Sequence, residues 1–520
     1  MAIAHLLNNA GFTEDPFEYT NADQEARLES YFVPPPFFTS VRGDFRRPAP
    51  HIVLAPRGGG KSAQRRMIEE YAAANPEFLC VTYDGYEIPA GMGLEDADLA
   101  YHLTQVMRIM LLGILLRLDD EPDRIGRLSK DEKYLLKVQV ERFLGDLTIA
   151  QFETALKSLR GIPDKVKAFM RKHAAGVALA IDALKQKSGL SSLEVPEGAA
   201  VGGKDAGLRF HLEKATAIAR SLGFESVYVL VDKVDENPLT QADAESTYKF
   251  IMPLLTDLGV LELPGLGMKF FLWDGVEGSL GQGGVRRDRI KVSTLDWTVE
   301  MLGQMLAARL AAYSDQKVRS LNDLACEDNQ LDIDRLVVQM ARSPRDVVRL
   351  GSAIVAQATK SDARVHCLSQ KSVLDAISSF SNERIGELVD PKHLGELRRV
   401  GSTSFTINHL ANDVFRIESQ SAGNKVKGWQ RTGLVSKIAE EPVGQGRPQH
   451  VFGIVDPLLA VAAQPQRGAS EVLRRDLWVC PSCGATVVCD RDEASCGHCG
   501  AVFAVTDATD VLTAAGRSGS

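Results

Sequence analysis

The chain has 520 residues, 44% of them hydrophobic and 25% charged, and a formal net charge of −8 at pH 7. This composition is that of a folded globular protein and excludes an intrinsically disordered one, and the length predicts three or four domains of roughly 100–200 residues each. The negative net charge excludes a protein that coats nucleic acid along its whole surface, so any such contact requires a local basic patch.

The N-terminus and the cysteines bear on the compartment in which the chain works. The N-terminal residues have no basic segment ahead of an apolar one, so we do not expect a signal peptide. No apolar run approaches the roughly 18–20 residues that span a bilayer, which predicts a cytoplasmic protein without membrane contact. Four of the eight cysteines are scattered and fit a reducing compartment better than a disulfide framework: Cys80, Cys326, Cys367 and Cys489.

Residues 1–45 are rich in aromatic residues and proline, and we expect this lead-in to pack against the domain that follows it. Residues 46–297 are predicted to form the domain after this lead-in, an α/β core with a parallel sheet in which buried strands alternate with helices. Within it, residues 95–205 repeat apolar residues at helical spacing, which predicts a long helical insertion. Strands are predicted at four apolar runs: residues 51–54, 78–83, 227–231 and 269–273.

The second half of the chain divides into smaller segments. Residues 298–387 have helical periodicity and are predicted to form a helical lid. Residues 388–465 mix short helices with a hairpin, and residues 475–505 form a small cysteine-rich module. A linker is expected at 464–470, and the tail at 506–520, rich in small residues, is expected to be mobile.

The residues after the first strand have the pattern of a phosphate-binding loop: Ala55, Pro56, Arg57, Gly58, Gly59, Gly60, Lys61 and Ser62. Glycines let consecutive backbone N–H groups curl around phosphate oxygens, while a lysine reaches the β- and γ-phosphates and a hydroxyl holds Mg²⁺. The helix that begins here points its positive end at the same anion. We therefore predict a site for ATP and Mg²⁺, with Ala55 in the place that a first glycine usually takes.

A nucleotide site of this kind also needs a carboxylate at the end of a neighbouring strand. Asp232 follows the strand at 227–231 and is predicted to hold Mg²⁺ through water. Either Asp235 or Glu236 would polarise the attacking water, and the spacing does not distinguish them. Asp274 ends the next strand, where it is either a sensor of the γ-phosphate or water, or a plain strand-end cap.

These motifs resemble those of the ASCE group of P-loop ATPases, particularly the STAND and KAP families and the ATPases of the origin-recognition type. The resemblance rests on the loop at 54–62 and the acids at 232–236, and it covers roughly residues 45–385. It implies that Arg345 contacts the nucleotide from the helical lid. Three further arginines stand where such families often place an arginine finger for a neighbouring subunit, which makes a homo-oligomer a candidate assembly: Arg286, Arg287 and Arg289.

Residues 391–465 carry nine Lys or Arg against six Asp or Glu in an otherwise acidic chain. Helices are predicted at 405–415 and 424–435, followed by two strands that pair around residues 442–448. This order is similar to a winged helix, in which the second helix enters the DNA major groove and the hairpin contacts phosphate. A winged helix used only for packing against protein is the alternative. The candidate DNA contacts are Lys425, Lys427, Arg431 and Arg447.

Two C-x2-C-G knuckles near the C-terminus predict a zinc site whose ligands are Cys480, Cys483, Cys496 and Cys499. Four thiolates complete a tetrahedral Zn²⁺ shell, so the zinc is expected to be structural and not catalytic. The knuckle glycines permit the tight turns that aim backbone N–H groups at sulfur. Cys489 and His498 are alternative ligands that fit less well. The module resembles a zinc ribbon, which binds nucleic acid or protein.

Together these features predict a P-loop ATPase that acts as a molecular switch or remodeller on DNA or a partner protein, in bacterial antiviral defence or genome maintenance. The sequence shows no repeat array and no nuclease motif, so a separate effector protein would perform any downstream chemistry. The alternative is a non-hydrolysing, nucleotide-sensing DNA-binding or adaptor protein. Lys233 motivates that alternative, because it lies where many AAA+ enzymes carry their catalytic glutamate.

Overall fold

The structure is a computed structural model of the chain. It describes residues 4–145, 147–157, 159, 181–182, 185–186, 190, 204–441 and 448–512. The chain divides into two compact units. The first, here called the sheet unit, is Pro34–Asp296, and the second, the helical unit, is Met1–Val33 together with Trp297–Ser520.

The secondary structure follows the predicted alternation in the first half of the chain. The strands are β1 His51–Ala55, β2 Phe78–Tyr83, β3 Ser226–Val231, β4 Leu266–Trp273, β5 Lys291–Thr294, β6 Ser404–Thr406, β7 Val435–Glu441, β8 Gln449–Ile454, β9 Leu477–Val479, β10 Thr486–Val488, β11 Glu493–Ser495, β12 Val502–Ala504 and β13 Thr509–Asp510. The helices are α1 His5–Asn9, α2 Leu28–Tyr31, α3 Phe38–Arg42, α4 Lys61–Ala74, α5 Leu99–Asp120, α6 Lys130–Leu144, α7 Ile149–Lys157, α8 Lys204–Ser221, α9 Ala244–Thr256, α10 Leu258–Leu261, α11 Glu277–Gln282, α12 Val299–Tyr313, α13 Ile333–Met340, α14 Pro344–Ser361, α15 Gln370–Leu388, α16 Pro391–Val400, α17 Ile407–His409, α18 Ser419–Arg431, α19 Pro457–Ala462 and α20 Gly468–Arg475.

The sheet unit is built on five parallel strands in the order β2-β3-β4-β1-β5. Strands β1, β2 and β3 are buried along their whole length, which explains why they appear in the sequence as unbroken apolar runs. This is the α/β fold of a P-loop NTPase that the sequence predicts. Strand β5 is not among the predicted strands, because its residues Lys-Val-Ser-Thr are partly exposed and form no apolar run.

Helix α5 belongs to the core of the sheet unit and corrects two expectations. A Cβ atom added at its Gly113 would meet the side chains of Leu79 and Val81 in β2 at 3.3 Å, so the helix lies directly on the sheet. The segment at 95–205 is therefore not wholly an insertion. By length and composition α5 is also apolar enough to cross a membrane, contrary to the expectation of no such run. Since 78% of its apolar window is buried inside the protein, packing in the core accounts for that composition.

The lead-in is divided between the two units. Val41 and Phe45 pack against Val53 of β1, as predicted, whereas Met1–Val33 belongs to the helical unit. The guanidinium of Arg309 in α12 donates a hydrogen bond to the hydroxyl of Tyr31 at 2.6 Å. Arg309 also forms a buried ion pair with Glu25, which accepts a hydrogen bond from the hydroxyl of Tyr313. The sequence around an isolated arginine on an apolar helix does not indicate which distant groups will be its partners.

Residues 391–454 have the arrangement of a winged helix. Helices α16 to α18 accompany a three-stranded antiparallel sheet in the order β6-β8-β7, and the β7–β8 hairpin corresponds to the wing. A π-helical turn at Leu410–Phe415 extends α17. Helix α18 begins at Ser419, earlier than predicted, and ends before Gly433, whose φ is 70°. The residues between β7 and β8 that include the candidate DNA contact Arg447 lie outside the described residues.

The segment predicted as a linker at 464–470 contains the beginning of a helix. Helix α20 starts at Gly468, and together with α19 it packs on α15. Its Ala469, Val472 and Leu473 are buried, and their three- and four-residue spacing is that of an apolar helix face. The cysteine module is therefore joined to the winged helix by packed structure.

Cys326 and Cys367 form a disulfide, which differs from the expectation that the scattered cysteines are unpaired. The two chain segments meet at a parallel bridge between Ala325 and Leu368, where the N–H of Cys326 donates to the carbonyl of Leu368 at 3.0 Å. The partners are 41 residues apart, and spacing alone does not reveal such a pairing.

Candidate functional site

The loop between β1 and α4 has the backbone of a phosphate cradle. Gly58 and Gly60 have φ angles of 78° and 88°, in the left-handed region that favours glycine. Gly59 is required for a different reason, because a Cβ atom there would lie 2.9 Å from the carbonyl oxygen of Pro56. Helix α4 begins directly afterwards at Lys61. Three consecutive glycines ahead of a helix N-terminus fit a bound phosphate chain, since such termini attract anions.

Lys61 is buried at the carboxyl end of β1, and Ser62 follows it in the first turn of α4. The Lys61 ammonium donates to the carbonyl oxygen of Ala55 at 3.1 Å and to that of Pro56 at 3.3 Å. Burial lowers the pKa of the Lys61 amine, and Asp235 is foremost among the carboxylates that oppose this shift. The lysine is thus held by neutral acceptors, which a phosphate oxygen can replace with a stronger, charge-assisted hydrogen bond.

Asp232 lies directly after β3 and is 1% exposed. Its Oδ2 accepts a hydrogen bond from Nε of Arg65 at 2.9 Å, and its Oδ1 accepts one from the backbone N–H of Lys233 at 2.9 Å. Arg65 also donates to Glu69 at 2.5 Å, and Glu69 accepts a further hydrogen bond from the hydroxyl of Thr82. Both oxygens of Asp232 have protein partners, and the predicted contact with Mg²⁺ through an intervening water stays a prediction.

The two candidate bases lie in different environments. Asp235 is 5% exposed and accepts a hydrogen bond at 3.0 Å from Nε of Arg57, a residue of the phosphate loop itself. Glu236 is exposed at the end of the 3₁₀ turn Val234–Glu236. Asn237 stabilises this turn by donating from its side chain to the carbonyl of Val234 at 2.7 Å. Of the two acids, Asp235 is the more buried, and it is held by a cation of the loop.

Asp274 joins the same cluster from the neighbouring strand. It begins a 3₁₀ turn at the end of β4, where Trp273 is paired with Ala55 of β1. Burial raises the pKa of Asp274, and attraction by Lys61 opposes that shift. The carboxyl ends of β1, β3 and β4 therefore bring the predicted lysine and three predicted acids to one edge of the sheet. Both roles of Asp274, as a sensor of the γ-phosphate or water and as a strand-end cap, stay predictions.

Lys233 departs from the pattern of a hydrolytic site. Its φ of 57° is in the left-handed region, and its ammonium forms an ion pair with Asp84 at 3.3 Å. Sequence reasoning missed Asp84, and it also missed the side-chain roles of Arg57 and Arg65. A signal for Arg65 does exist, because it lies four residues before Glu69 on a helix, the spacing at which opposite charges meet.

The roles of the arginines that the family resemblance implies stay predictions. Arg345 is the second residue of α14 in the helical unit, where it is partly buried, and its contact with a nucleotide stays a prediction. The three candidate finger arginines are exposed and have acidic partners: Arg286 with Asp288, Arg287 with Glu277, and Arg289 with Glu262. Surface ion pairs of this kind are weak, so they leave the finger role open.

Helix α18 of the winged helix has one open polar face. The helix contains no Asp or Glu, and its opposite face buries Val426 and Trp429. The open face consists of exposed residues at helical spacing: Gln420, Asn424, Lys427 and Arg431. Amides and cations without any acid are the side chains that contact base edges and phosphates in DNA grooves.

Lys425, a third predicted DNA contact on the same helix, has a different environment. Its ammonium is paired with Glu396 of α16 and lies 5.2 Å from the centre of the Phe415 ring. The same ring also packs against the guanidinium of Arg399 at 4.9 Å. Lys425 therefore holds α18 against its neighbours, whereas Lys427 and Arg431 are on the open face.

The four predicted zinc ligands converge in the C-terminal module. Their Sγ atoms all lie within 4.8 Å of one another. The Sγ atoms of Cys480 and Cys499 are 3.7 Å apart, and those of Cys483 and Cys496 are 3.6 Å apart. Four sulfurs about 2.3 Å from a tetrahedral zinc would be separated by about 3.8 Å, so the cluster fits a Zn²⁺ ion with no position left for substrate.

Each knuckle is closed by its glycine. The N–H of Gly484 donates to the carbonyl of Cys480, and the N–H of Gly500 donates to that of Cys496, both at 2.9 Å. Burial opposes ionisation of Cys480, but hydrogen bonds from backbone N–H groups and from the thiols of Cys483 and Cys499 together outweigh it and lower the pKa of the Cys480 thiol to about 7. Zinc binds the thiolate form, so the environment of Cys480 favours a metal ligand, whereas burial raises the pKa of Cys483 and Cys496.

The cysteine module is attached to the rest of the helical unit by polar contacts. The side chain of Gln339 in α13 donates to the carbonyl of Gly484 at 3.1 Å, and the hydroxyl of Thr486 donates to the backbone carbonyl of Gln339 at 2.9 Å. At the base of the winged helix, Nε of Arg491 donates to the hydroxyl of Ser404 at 3.0 Å. One knuckle is therefore hydrogen-bonded to the helix that precedes Arg345 in the chain.

Comparisons with known proteins identify no family for this chain. No family model matches it, and no curated protein matches it. Among solved structures it is similar to that of the ORC1 protein of Aeropyrum pernix in complex with DNA, with 11% sequence identity and a TM-score of 0.34. That similarity extends over 89% of this chain and 99% of the other. A TM-score of this size supports no conclusion about function, which has to be inferred from the site itself.

Proposed function

We propose that the chain binds ATP with Mg²⁺ in the loop between β1 and α4, hydrolyses it, and uses the cycle to switch its hold on DNA or a partner protein. The observation that carries the proposal is the position of Lys61. It is buried beside a loop that requires three glycines, and it interacts electrostatically with Asp235, Asp232 and Asp274. This is the charge arrangement that an Mg²⁺-bound triphosphate needs.

Each residue of the cluster has a distinct task in this proposal. Lys61 binds the β- and γ-phosphates, and the loop backbone holds the phosphate chain in place. Ser62 and Asp232 would hold Mg²⁺, which supplies charge neutralisation on the phosphates when it is bound. Asp235 or Glu236 accepts a proton from the attacking water. Arg345 would contact the nucleotide from the helical unit.

The test is steady-state ATP hydrolysis by purified variants. Lys61→Ala should lose nucleotide binding and turnover together. Asp235→Asn and Glu236→Gln, made singly and together, should retain binding, and the base is the residue whose change lowers kcat by at least about 100-fold. Arg66→Ala, which removes a partly exposed ion pair with Glu70 on the same helix, is the matched control. Unchanged turnover in both Lys61→Ala and the double variant would refute the proposal.

A non-hydrolysing nucleotide sensor is the second candidate, and one observation favours it. Lys233 lies where a catalytic glutamate would be expected, and its ion pair with Asp84 fixes a cation next to Asp232. Such a protein would bind ATP tightly and turn it over negligibly. Equilibrium binding of ATP combined with a turnover assay, with and without DNA, distinguishes the two.

We further propose that α18 contacts DNA, because its open face carries Asn424, Lys427 and Arg431 without any acid. The zinc module would add a second contact to DNA or to protein. A separate effector protein, a homo-oligomer, and a setting in bacterial antiviral defence or genome maintenance complete the proposal. Co-purification from native lysate and the mass of the assembly in solution test the partner and the oligomer.

A further inference from the structure

Arg57 belongs to the phosphate loop, and its side chain reaches a candidate base. Its Nε donates to Oδ2 of Asp235 at 3.0 Å, and its guanidinium lies 4.7 Å from the centre of the Trp273 ring. Trp273 ends β4 and pairs in register with Ala55, the residue at which the loop begins. Arg57 thus joins the loop to the turn after β3 and to the end of β4.

The pair is unequal in burial, and this inequality determines which partner can move. The side chain of Asp235 is 5% exposed, whereas that of Arg57 is 42% exposed. The carboxylate is fixed in a turn that Asn237 braces, while the guanidinium is a long, half-exposed side chain on a glycine-rich loop. A competing anion would therefore draw Arg57 away and leave Asp235 in place.

Bound as proposed, ATP would supply such an anion beside Arg57, and ADP would not. The loop backbone and Lys61 receive the β- and γ-phosphates, and Asp235 is the acid with the strongest electrostatic effect on Lys61. A γ-phosphate has more charge than one carboxylate and presents oxygens that match the two-pronged guanidinium. With ADP the γ-phosphate is missing, and the ion pair with Asp235 has no competitor.

We propose that Arg57 is a γ-phosphate sensor. Its guanidinium moves away from Asp235 and Trp273 to bind the terminal phosphate of ATP, and Asp235 is then able to accept a hydrogen bond from water. The inference rests on the proposed function, because it assumes that the loop binds nucleotide. It assigns to the Arg57 side chain a selectivity for triphosphate over diphosphate. It also makes hydrolysis through Asp235 conditional on a complete triphosphate.

The movement can be followed directly through Trp273. The chain has four tryptophans, so Trp273→Phe identifies the contribution of this one to the emission. We expect Mg-ATPγS to change the emission of Trp273 and Mg-ADP to leave it unchanged, because only the former removes the cation from the ring. The change should be absent in Trp273→Phe and in Arg57→Ala.

Affinity provides a second readout that does not depend on turnover. Displacement of a fluorescent ADP analogue should show that Arg57→Ala weakens ATPγS binding about 10- to 100-fold, with ADP affinity altered less than about twofold. Arg57→Lys keeps the charge without the planar fork, so its affinity for ATPγS should lie between those of the unaltered protein and Arg57→Ala. It replaces the alanine variant if that variant does not fold. Arg66→Ala should bind both nucleotides like the unaltered protein.

The outcomes separate this inference from the proposed function. If the unaltered protein binds neither nucleotide, the proposed function fails. If it binds ATPγS but ADP changes the Trp273 emission equally, the sensor role is wrong while nucleotide binding stands. The sensor role is also wrong if Arg57→Ala and Arg57→Lys preserve the selectivity between the two nucleotides.

Discussion

Arg65 and Asp232 form a hydrogen-bonded ion pair, Nε to Oδ2 at 2.9 Å, that connects the helix after the phosphate loop to the strand that bears the acidic residue. The two side chains are 0% and 1% exposed. Separation of α4 from β3 would leave two charges buried without partners, which is far more costly than leaving them in water. The pair therefore keeps the N-terminus of α4 and the carboxylate of Asp232 in a fixed relation.

Removal of one partner should reveal this coupling. Arg65→Ala leaves Asp232 and Glu69 buried without their cation, so we expect the free energy of unfolding of the sheet unit to fall by about 3–5 kcal/mol. Arg66→Ala removes a partly exposed pair one residue away, with side chains 19% and 47% exposed, and should cost about 0–1 kcal/mol. Urea denaturation followed by circular dichroism measures both changes. Equal losses in the two variants would contradict the assigned role of Arg65.

Lys269 in β4 predicts a specific dependence of stability on pH. Burial, and then the charge of Lys291, lower its pKa to about 7, well below the value of about 10.4 in an unfolded chain. Between these values the unfolded chain binds more protons, so this group makes stability rise from about pH 7 towards pH 10. Below pH 7 the destabilisation is fully present, because both states are then protonated.

Lys269→Met removes the titrating group, although it also removes a hydrogen bond to the carbonyl of Ala49 at 2.8 Å. The slope of the urea midpoint against pH between 7 and 9 should therefore flatten in this variant, whatever its absolute stability. Lys130→Met, at an exposed helix start in the same unit, should keep the slope of the unaltered protein. An unchanged slope in Lys269→Met would show that the lysine does not titrate in this range.

The sequence predicts those parts of the candidate nucleotide site that consist of residues close together in the chain. The strand, three glycines and Lys61 are consecutive, and Asp232 directly follows an apolar run, so each piece is visible in a short window. Parallel strands place their carboxyl ends at one edge, which is why acids after β3 and β4 could be expected to meet Lys61. Helix periodicity likewise predicts α18, although the helix begins at Ser419, before the predicted start.

What the sequence does not predict depends on pairing between distant residues. Arg65 and Asp232 are 167 positions apart, and nothing in their local patterns links them. The same holds for the disulfide between Cys326 and Cys367 and for the docking of the lead-in through Arg309. A single sequence carries no record of such contacts, because hydrophobic periodicity reports only which face of an element is buried.

Two lysines of α18 provide a matched pair for testing DNA contact. Lys427 is on the open face, whereas Lys425 is held by Glu396, so only Lys427→Ala should weaken DNA binding. The loss should be similar for all sequences, and the slope of log K against log salt should decrease by about 1. Binding measured by fluorescence anisotropy at several salt concentrations checks this. A larger loss in Lys425→Ala would indicate that the exposed face is not the contact.

Asn424 on the same face should act differently from the lysine. Asparagine forms two hydrogen bonds with adenine in the major groove, so Asn424→Ala should reduce discrimination among sequences by about 1–3 kcal/mol at one position. The salt dependence should stay unchanged, since no charge is removed. Selection from a random duplex pool, followed by affinity measurement on the winner and its single substitutions, tests this. Indifference of the unaltered protein to sequence would show that α18 does not read bases.

The zinc cluster predicts an effect at a distance, because one knuckle is bonded to α13. Cys483→Ser should abolish the binding of one zinc per chain and loosen the contact between Gly484 and Gln339. Faster amide exchange is then expected both in the module and in α13, and a chelator should produce the same pattern in the unaltered protein.

Cys489→Ser is the control, because Cys489 is outside the cluster and donates to the carbonyl of Glu493 at 3.3 Å. Metal analysis should find one zinc in that variant, and loss of zinc there would mean that Cys489 is a ligand. Faster exchange confined to the module in Cys483→Ser would show that zinc stabilises the ribbon without reaching the helix that leads to Arg345.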